Sequence, residues 1–465
     1  MAAMFFAALV QQPSPPSADT AAGRPCTIQV DSIGGKYSEV AVGPHEKNYY
    51  AGGGVLAHCL GTGSTLSADS VAYYQGIGRF DMLGPKTLVH IRDTAITLDA
   101  VTALYHLRQE WLEAHKNVVA VNRSNGSVLR GPNLIYYRAV KGVRDTLEMY
   151  ASGRPTIDYR SGPDSAEPYV IVADRVRFKG NDRMWGGGSV TIDRSDFAAR
   201  GDSLALDQSA GKGVLVGNPQ VAGKGSEAYT LTGTRIELGL QGRELRLVKA
   251  LGNGVATSGD WRLTADTIHL HIDRKRLQRA NAWGPKDSVR ARAVSARTTI
   301  RADSLALDVP EQVLTEARGF GHTYATSKRD SSAAQHRDSS AASDVDWISG
   351  DSLTARWRPV ADSASRGGKP KTQLHELLAR GGARVFTHVY NRRDSTLGPS
   401  LNYTRGAVID AILLGDKIDT VRATGQADGV HLEPRPPAPP DSTKGKKRAP
   451  APPDSTKARK KVSAP

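Results

Sequence analysis

The chain has 465 residues, a formal charge of +15 and only 6% aromatic residues, so it is long but poor in the material of a thick globular core. Its 47 glycines and 39% apolar content suit short strands joined by tight turns better than a compact enzyme of this length. The charge favours anionic partners, although part of it is local: between His431 and Pro465 nine Lys/Arg stand against Glu433, Asp441 and Asp454. No basic recognition helix or zinc-finger spacing accompanies it, which argues against nucleic acid, and no apolar run is long enough for a membrane span.

Residues 1–26 read as an export segment and linker. Met4 to Val10 is a short apolar run of the kind found in a secretory signal, without a basic stretch before it, and Gln11 to Ala22 is polar and Pro-rich. Export implies an oxidising compartment, in which Cys26 and Cys59 can form a disulfide; paired and unpaired thiols both remain open at this point.

Residues 27–432 repeat themselves. One half-motif is a small residue, Asp, Ser or Thr, and then alternating apolar positions. It occurs as Ala68-Asp69-Ser70-Val71-Ala72-Tyr73, Ala173-Asp174-Arg175-Val176-Arg177-Phe178 and Gly201-Asp202-Ser203-Leu204-Ala205-Leu206. It returns as Ala265-Asp266-Thr267-Ile268-His269-Leu270, Ala302-Asp303-Ser304-Leu305-Ala306-Leu307 and Gly350-Asp351-Ser352-Leu353, with a degenerate copy at Gly233-Thr234-Arg235-Ile236-Glu237-Leu238. The other half-motif is an apolar strand running into Ala-x-Gly, as in Ala250-Leu251-Gly252, Ala317-Arg318-Gly319, Ala379-Arg380-Gly381 and Ala423-Thr424-Gly425. Period-2 alternation means strands with one buried face. The recurring Asp and Gly are corner chemistry: Asp to hydrogen-bond its own backbone at a bend, Gly to take positive φ. Leu374 to Ala379 sits where a strand belongs and is read as strand. Two segments, about 326–344 and 361–371, are polar and read as disordered insertions. Residues 433–465 are a Pro/Lys-rich disordered tail in which Ala438-Pro439-Pro440-Asp441-Ser442-Thr443-Lys444 recurs at 451–457.

The ordered alternation of the two half-motifs, clearest at 173–257 and 264–319, resembles the organic-solvent-tolerance (OstA-like) repeat family, which includes the lipopolysaccharide-transport protein LptA and the periplasmic domain of LptD. The resemblance implies an all-β, elongated stack of antiparallel strands, a β-jellyroll or β-taco with a V-shaped groove. It also implies a periplasmic, lipid-binding part of a transport bridge to the outer membrane, which meets other envelope transport proteins by edge-strand pairing. In that setting the apolar positions of the repeats would line the groove and hold the acyl chains of lipopolysaccharide or another acylated glycolipid: Val71, Tyr73, Val176, Phe178, Leu204, Leu206, Ile236, Leu238, Ile268, Leu270, Leu305 and Leu307. The residues alone leave a second reading open, a structural or adhesive solenoid whose core is closed by these same side chains. The basic tail offers contact with a membrane surface.

Sites for other chemistry are absent from the pattern. There is no phosphate-binding loop, nucleophile elbow, zinc-protease His pair or Cys-x-x-Cys, so neither catalysis, a metal nor a cofactor is expected. His269 and His271 share an outward strand face and read as a solvated pair. Arg200-Gly201-Asp202 and Gly186-Gly187-Gly188 fall on repeat corners and turns, and the recurring Asp residues are spread along the stack rather than gathered into a paired-carboxylate site.

Overall fold

A computed structural model describes residues 25–434 except 61, 161–166, 226–227, 242–243, 260, 285–289, 311–312, 329–344, 361–370, 390–398 and 415–416. The described residues form one 32-stranded sheet with every pairing antiparallel, and no α-helix occurs among them. The proposed tail from residue 435 onward and most of both proposed insertions lie outside the described residues.

The sheet is a meander of bent strands. The strand Glu46–Cys59 pairs through its first half with Tyr37–Gly43 and through its second half with Ile28–Ile33. The next strand, Thr65–Tyr74, returns along both halves in the opposite order. Repeating this step builds two arms that meet at a line of corners, so the section is a V. Arm A contains segments such as 46–51, 70–74, 102–106, 175–179 and 267–273; arm B contains 55–59, 65–68, 118–122, 190–193 and 261–265. Each rung crosses both arms, and hairpin turns join successive rungs alternately at the tip of A and the tip of B. Roughly twenty rungs at ~4.8 Å give an object about 100 Å long.

The corners explain both half-motifs. Strand register slips there, between Gly187 and Val190, Leu251 and Gly254, Phe320 and Thr323, and Arg380 and Ala383. These are bulges, which bend a strand sharply. The corner glycines Gly188, Gly217, Gly321 and Gly381 have φ of +80°, +74°, +74° and +78°. The space where each would carry a Cβ is taken by the carboxylate of Asp174, Asp202, Asp303 and Asp351 on the preceding rung. The Asp backbone amide also donates across the corner, Asp174 to the Gly188 carbonyl at 2.9 Å and Asp303 to that of Gly321 at 2.9 Å. At these corners the recurring Asp therefore covers the next rung's glycine, which corrects the expectation that it caps its own bend. Two consecutive corners make one 32-residue sequence unit, from Asp202 through Gly217 to Thr234.

Three boundaries differ from the sequence reading. Thr326 to Lys328, expected in an insertion, complete the strand Glu316–Lys328, because Thr326 and Ser327 pair on both sides. Lys371 opens the strand Lys371–Val389, which includes Leu374 to Ala379. Cys26, expected in the leading segment, is buried and belongs to the fold. At the two ends, the rung of Ile28–Ile33 and Tyr37–Gly43 and the rung of Lys417–Thr424 and Asp428–Leu432 each pair on one side only among the described residues.

Candidate functional site

Alternation aims one face of each arm into the V. Val176, Phe178, Leu204, Ile236, Leu238, Ile268, Leu270, Leu305 and Leu307 are all buried there, with Ile236 and Ile268 at 0% exposure, and Leu206 is half-buried against them. Through the middle of the stack these side chains fill the interior themselves. The tips of the arms are also bridged across the mouth of the V. The Asn122 side-chain amide on arm B donates to Asn181 Oδ1 at the tip of arm A at 2.8 Å. The Tyr159 hydroxyl donates to Gln208 Oε1 at 2.5 Å, and the Trp261 and Trp357 rings meet edge to face at 5.5 Å.

Near the N-terminal end the section opens. A chamber of about 540 Å³ is lined by Tyr37, Tyr49, Tyr73 and Phe80, with Ile28, Val30, Ile33, Ala51, Val71 and Leu107 among the other lining residues. Tyr49 and Tyr73 stack at 5.9 Å, and Tyr73 tilts onto Phe80 at 6.3 Å. Of the groove residues read from the sequence, Val71 and Tyr73 lie on this chamber, while the other ten sit in the filled interior. Tyr37, Tyr49, Phe80 and Leu107 were not singled out because they fall outside the Asp-type half-motif. The alternation of Tyr49, Ala51, Val55 and Ala57 across a Gly-Gly-Gly corner was the available signal.

A polar clasp closes the mouth beside the chamber. Cys26 is bonded to Cys59, at the tip of arm B, with a Cα–Cα distance of 5.0 Å. The Cys26 amide donates to Glu110 Oε1, at the tip of arm A, at 2.7 Å. The segment entering the first strand is thus a strap from one tip to the other. Behind it Arg138 joins the same two tips: Nε to Asp93 Oδ2 at 3.0 Å and Nη1 to Glu110 Oε2 at 2.8 Å, all three side chains being at most 8% exposed. Tyr105 donates to Glu110, Tyr136 to Asp93 at 3.3 Å, and the Ser64 hydroxyl to Asp93 at 2.8 Å. Burial pushes the Asp93 carboxyl up, but the Arg138 guanidinium, the Ser64 hydroxyl and the Thr94 amide together hold it below the usual carboxylate range. The clasp residues sit in or beside hairpin turns, where no periodicity marks them.

The remaining sequence candidates are structural. His269 and His271 face outward, half-buried, His269 against the Trp283 ring at 4.6 Å and His271 beside Asn281 at 3.2 Å. Burial lowers both histidine pKa values. Gly201-Asp202 and Gly186-Gly187-Gly188 are corners, as the Asp–Gly arrangement requires. No group of three or more His, Cys, Asp or Glu with metal-site geometry occurs among the described residues.

No family model and no curated protein matches the chain. Among solved structures, a match is the crystal structure of LptH from Pseudomonas aeruginosa, described as the LptA homologous periplasmic component of the conserved lipopolysaccharide transport device. It shares 15% identity, covers 39% of this chain and 97% of its own, and superposes with a TM-score of 0.22.

Proposed function

We propose that the protein is a non-catalytic lipid-binding strut of the cell envelope that holds an acyl chain of lipopolysaccharide or a related glycolipid in its N-terminal chamber. The supporting observation is the chamber itself, an aromatic-walled cavity within the ~300–1,000 Å³ typical of ligand sites. Each methylene buried in such a space contributes about 0.8 kcal/mol. The chamber adjoins the first rung, whose outer edge has no strand partner among the described residues, so a partner adding a strand to that edge would continue both arms and their apolar interior. A periplasmic location and transfer between edge-paired partners belong to this proposal.

The filled interior favours a second reading, a closed structural solenoid, for the stretch beyond the clasp. Native mass spectrometry of the purified chain, with lipopolysaccharide added and removed, separates the two. Ala51→Trp fills the chamber without burying a charge. Loss of bound lipid in that variant, with an unchanged melting profile, supports the lipid reading. A wild-type chain that takes up no lipid sinks it and leaves the strut.

A further inference from the structure

The outer face of arm B changes character along the stack. In its N-terminal half carboxylates partner His90 (Asp99, 2.6 Å), Arg130 (Asp158, 2.6 Å) and Lys224 (Asp193, 2.6 Å), and the exposed arginines without one among the described residues, Arg92 and Arg200, stand on widely separated rungs. In the C-terminal half such arginines gather on neighbouring rungs. Arg262, Arg292, Arg301 and Arg384 are exposed and have no carboxylate partner among the described residues, whereas Arg405 is neutralised by Asp428 at 2.6 Å. Arg292 lies directly opposite Arg301, and Arg384 directly opposite Arg405. Like charges facing each other across a strand pair destabilise a sheet, so folding does not account for this arrangement. Beside the arginines runs a second column, in which Trp347 faces Phe386 and Phe386 faces Tyr403. Tyr324 and Trp347 stack at 5.8 Å, and Trp347 and Phe386 at 6.1 Å.

We propose that this face, from Arg262 to Arg405, docks on the headgroup layer of a membrane rich in anionic lipid. Unpaired guanidinium groups suit lipid phosphates, and Trp and Tyr are the side chains that settle at the membrane–water interface. The face is a sheet surface about seven rungs wide, on the order of 30 Å. The chain leaves the last rung at the tip of the same arm, after Leu432, and its remaining sequence is basic. Single-stranded nucleic acid is the other polyanion with basic and aromatic requirements, but it needs free ring faces on which bases stack. Here the Trp347 ring is stacked against Tyr324 on one neighbouring strand and Phe386 on the other, so its faces are already taken. The docking face is separate from the chamber and does not depend on what the chamber holds.

The full chain tests this against vesicles of equal parts phosphatidylglycerol and phosphatidylcholine, with pure phosphatidylcholine as the reference. Neutralising one arginine near an anionic surface weakens binding about 5-fold, so R292Q/R301Q/R384Q is expected to lose roughly 100-fold in affinity for the anionic vesicles. Wild-type binding should also fall as salt rises. Brominated phosphatidylglycerol is expected to quench part of the tryptophan emission, and W347F should remove that part, which the basic tail acting alone would not produce. The thermal melt of the triple variant checks its folding; should it unfold, the Trp347 quenching decides. Equal vesicle binding by folded wild type and triple variant, or no quenching at Trp347, overturns the proposal. So does binding to poly(U) RNA that needs these arginines while anionic vesicles bind without them.

Discussion

Replacing Arg138 by Met keeps the length and apolar stem of the side chain and removes the one cation that joins Asp93 to Glu110. The variant loses charge-assisted bonds of 3.0 and 2.8 Å and a third, to the Tyr105 hydroxyl, at 3.2 Å. Asp93 and Glu110 are then left as buried carboxylates without their counter-ion, for which about 3–5 kcal/mol is the usual penalty. The pH dependence gives the sharper signature. In the wild type the Asp93 pKa is depressed, so its contribution is present above the unfolded value near 4 and lost as pH falls through the folded value. In R138M only the Ser64 hydroxyl and the Thr94 amide still oppose burial, so the Asp93 pKa lies above its wild-type value and the variant regains stability relative to wild type on acidification, as that carboxyl takes up a proton. Urea unfolding at pH 7 and pH 5, followed by amide exchange in residues 93–110, measures both effects. A difference between wild type and R138M that is absent at pH 7, or that grows on acidification, would refute the clasp. Since buried ion pairs are often replaceable by apolar groups, D93L/E110M/R138M is expected to recover much of what R138M loses.

Other outcomes follow from the corners, the disulfide and the core. Gly321→Ala combines a φ of +74° with a Cβ placed against the Asp303 carboxylate, so it should cost at least the ~1–2 kcal/mol of left-handed backbone. In a denaturation cycle D303A should relieve part of that loss, giving a non-additive pair. Cys26→Ser opens a cross-link spanning 33 residues, with an expected loss of about 3–4 kcal/mol that dithiothreitol should reproduce in the wild type. Ile268→Ala, at a fully buried position, should lower stability by about 2–5 kcal/mol in urea titrations, because the filled interior leaves a cavity rather than a slack groove. A negligible effect there would show that the interior is not tightly packed.

The sequence showed the rungs more clearly than the site. Asp202, Asp303 and Asp351 marked corners because each corner needs the same local chemistry, and Ile236, Ile268 and Leu305 marked the inner face because strand alternation has a fixed period. What the alternation cannot specify is the distance between the two arms. A leucine that faces a partner arm and one that faces a ligand obey the same pattern, so Val71 on the chamber and Leu204 in the filled interior look alike in sequence. The clasp was illegible for a different reason. Asp93, Glu110 and Arg138 meet only because rungs far apart in sequence bring their tips together, and a turn carries no period that would announce it. The Arg292–Arg301 opposition likewise exists only once register is known.

The position of the clasp separates the two functional readings. It stands between the chamber and the filled stretch, with Cys26 touching both the chamber wall and Glu110. A lipid that moves along the interior must part the arms here first, breaking contacts that are individually strong but hold only one level of the stack. Beyond it the bridges across the mouth include the neutral hydrogen bonds of Asn122 to Asn181 and Tyr159 to Gln208, of about 1 kcal/mol each, and the Trp261–Trp357 ring pair. R138M is therefore expected to speed exchange of a bound fluorescent lipopolysaccharide and to extend its contacts past residue 138 in photo-crosslinking, if lipid travels through the stack. Where the chamber is instead the whole of the site, R138M lowers stability while the crosslinks stay at Tyr49, Tyr73 and Phe80.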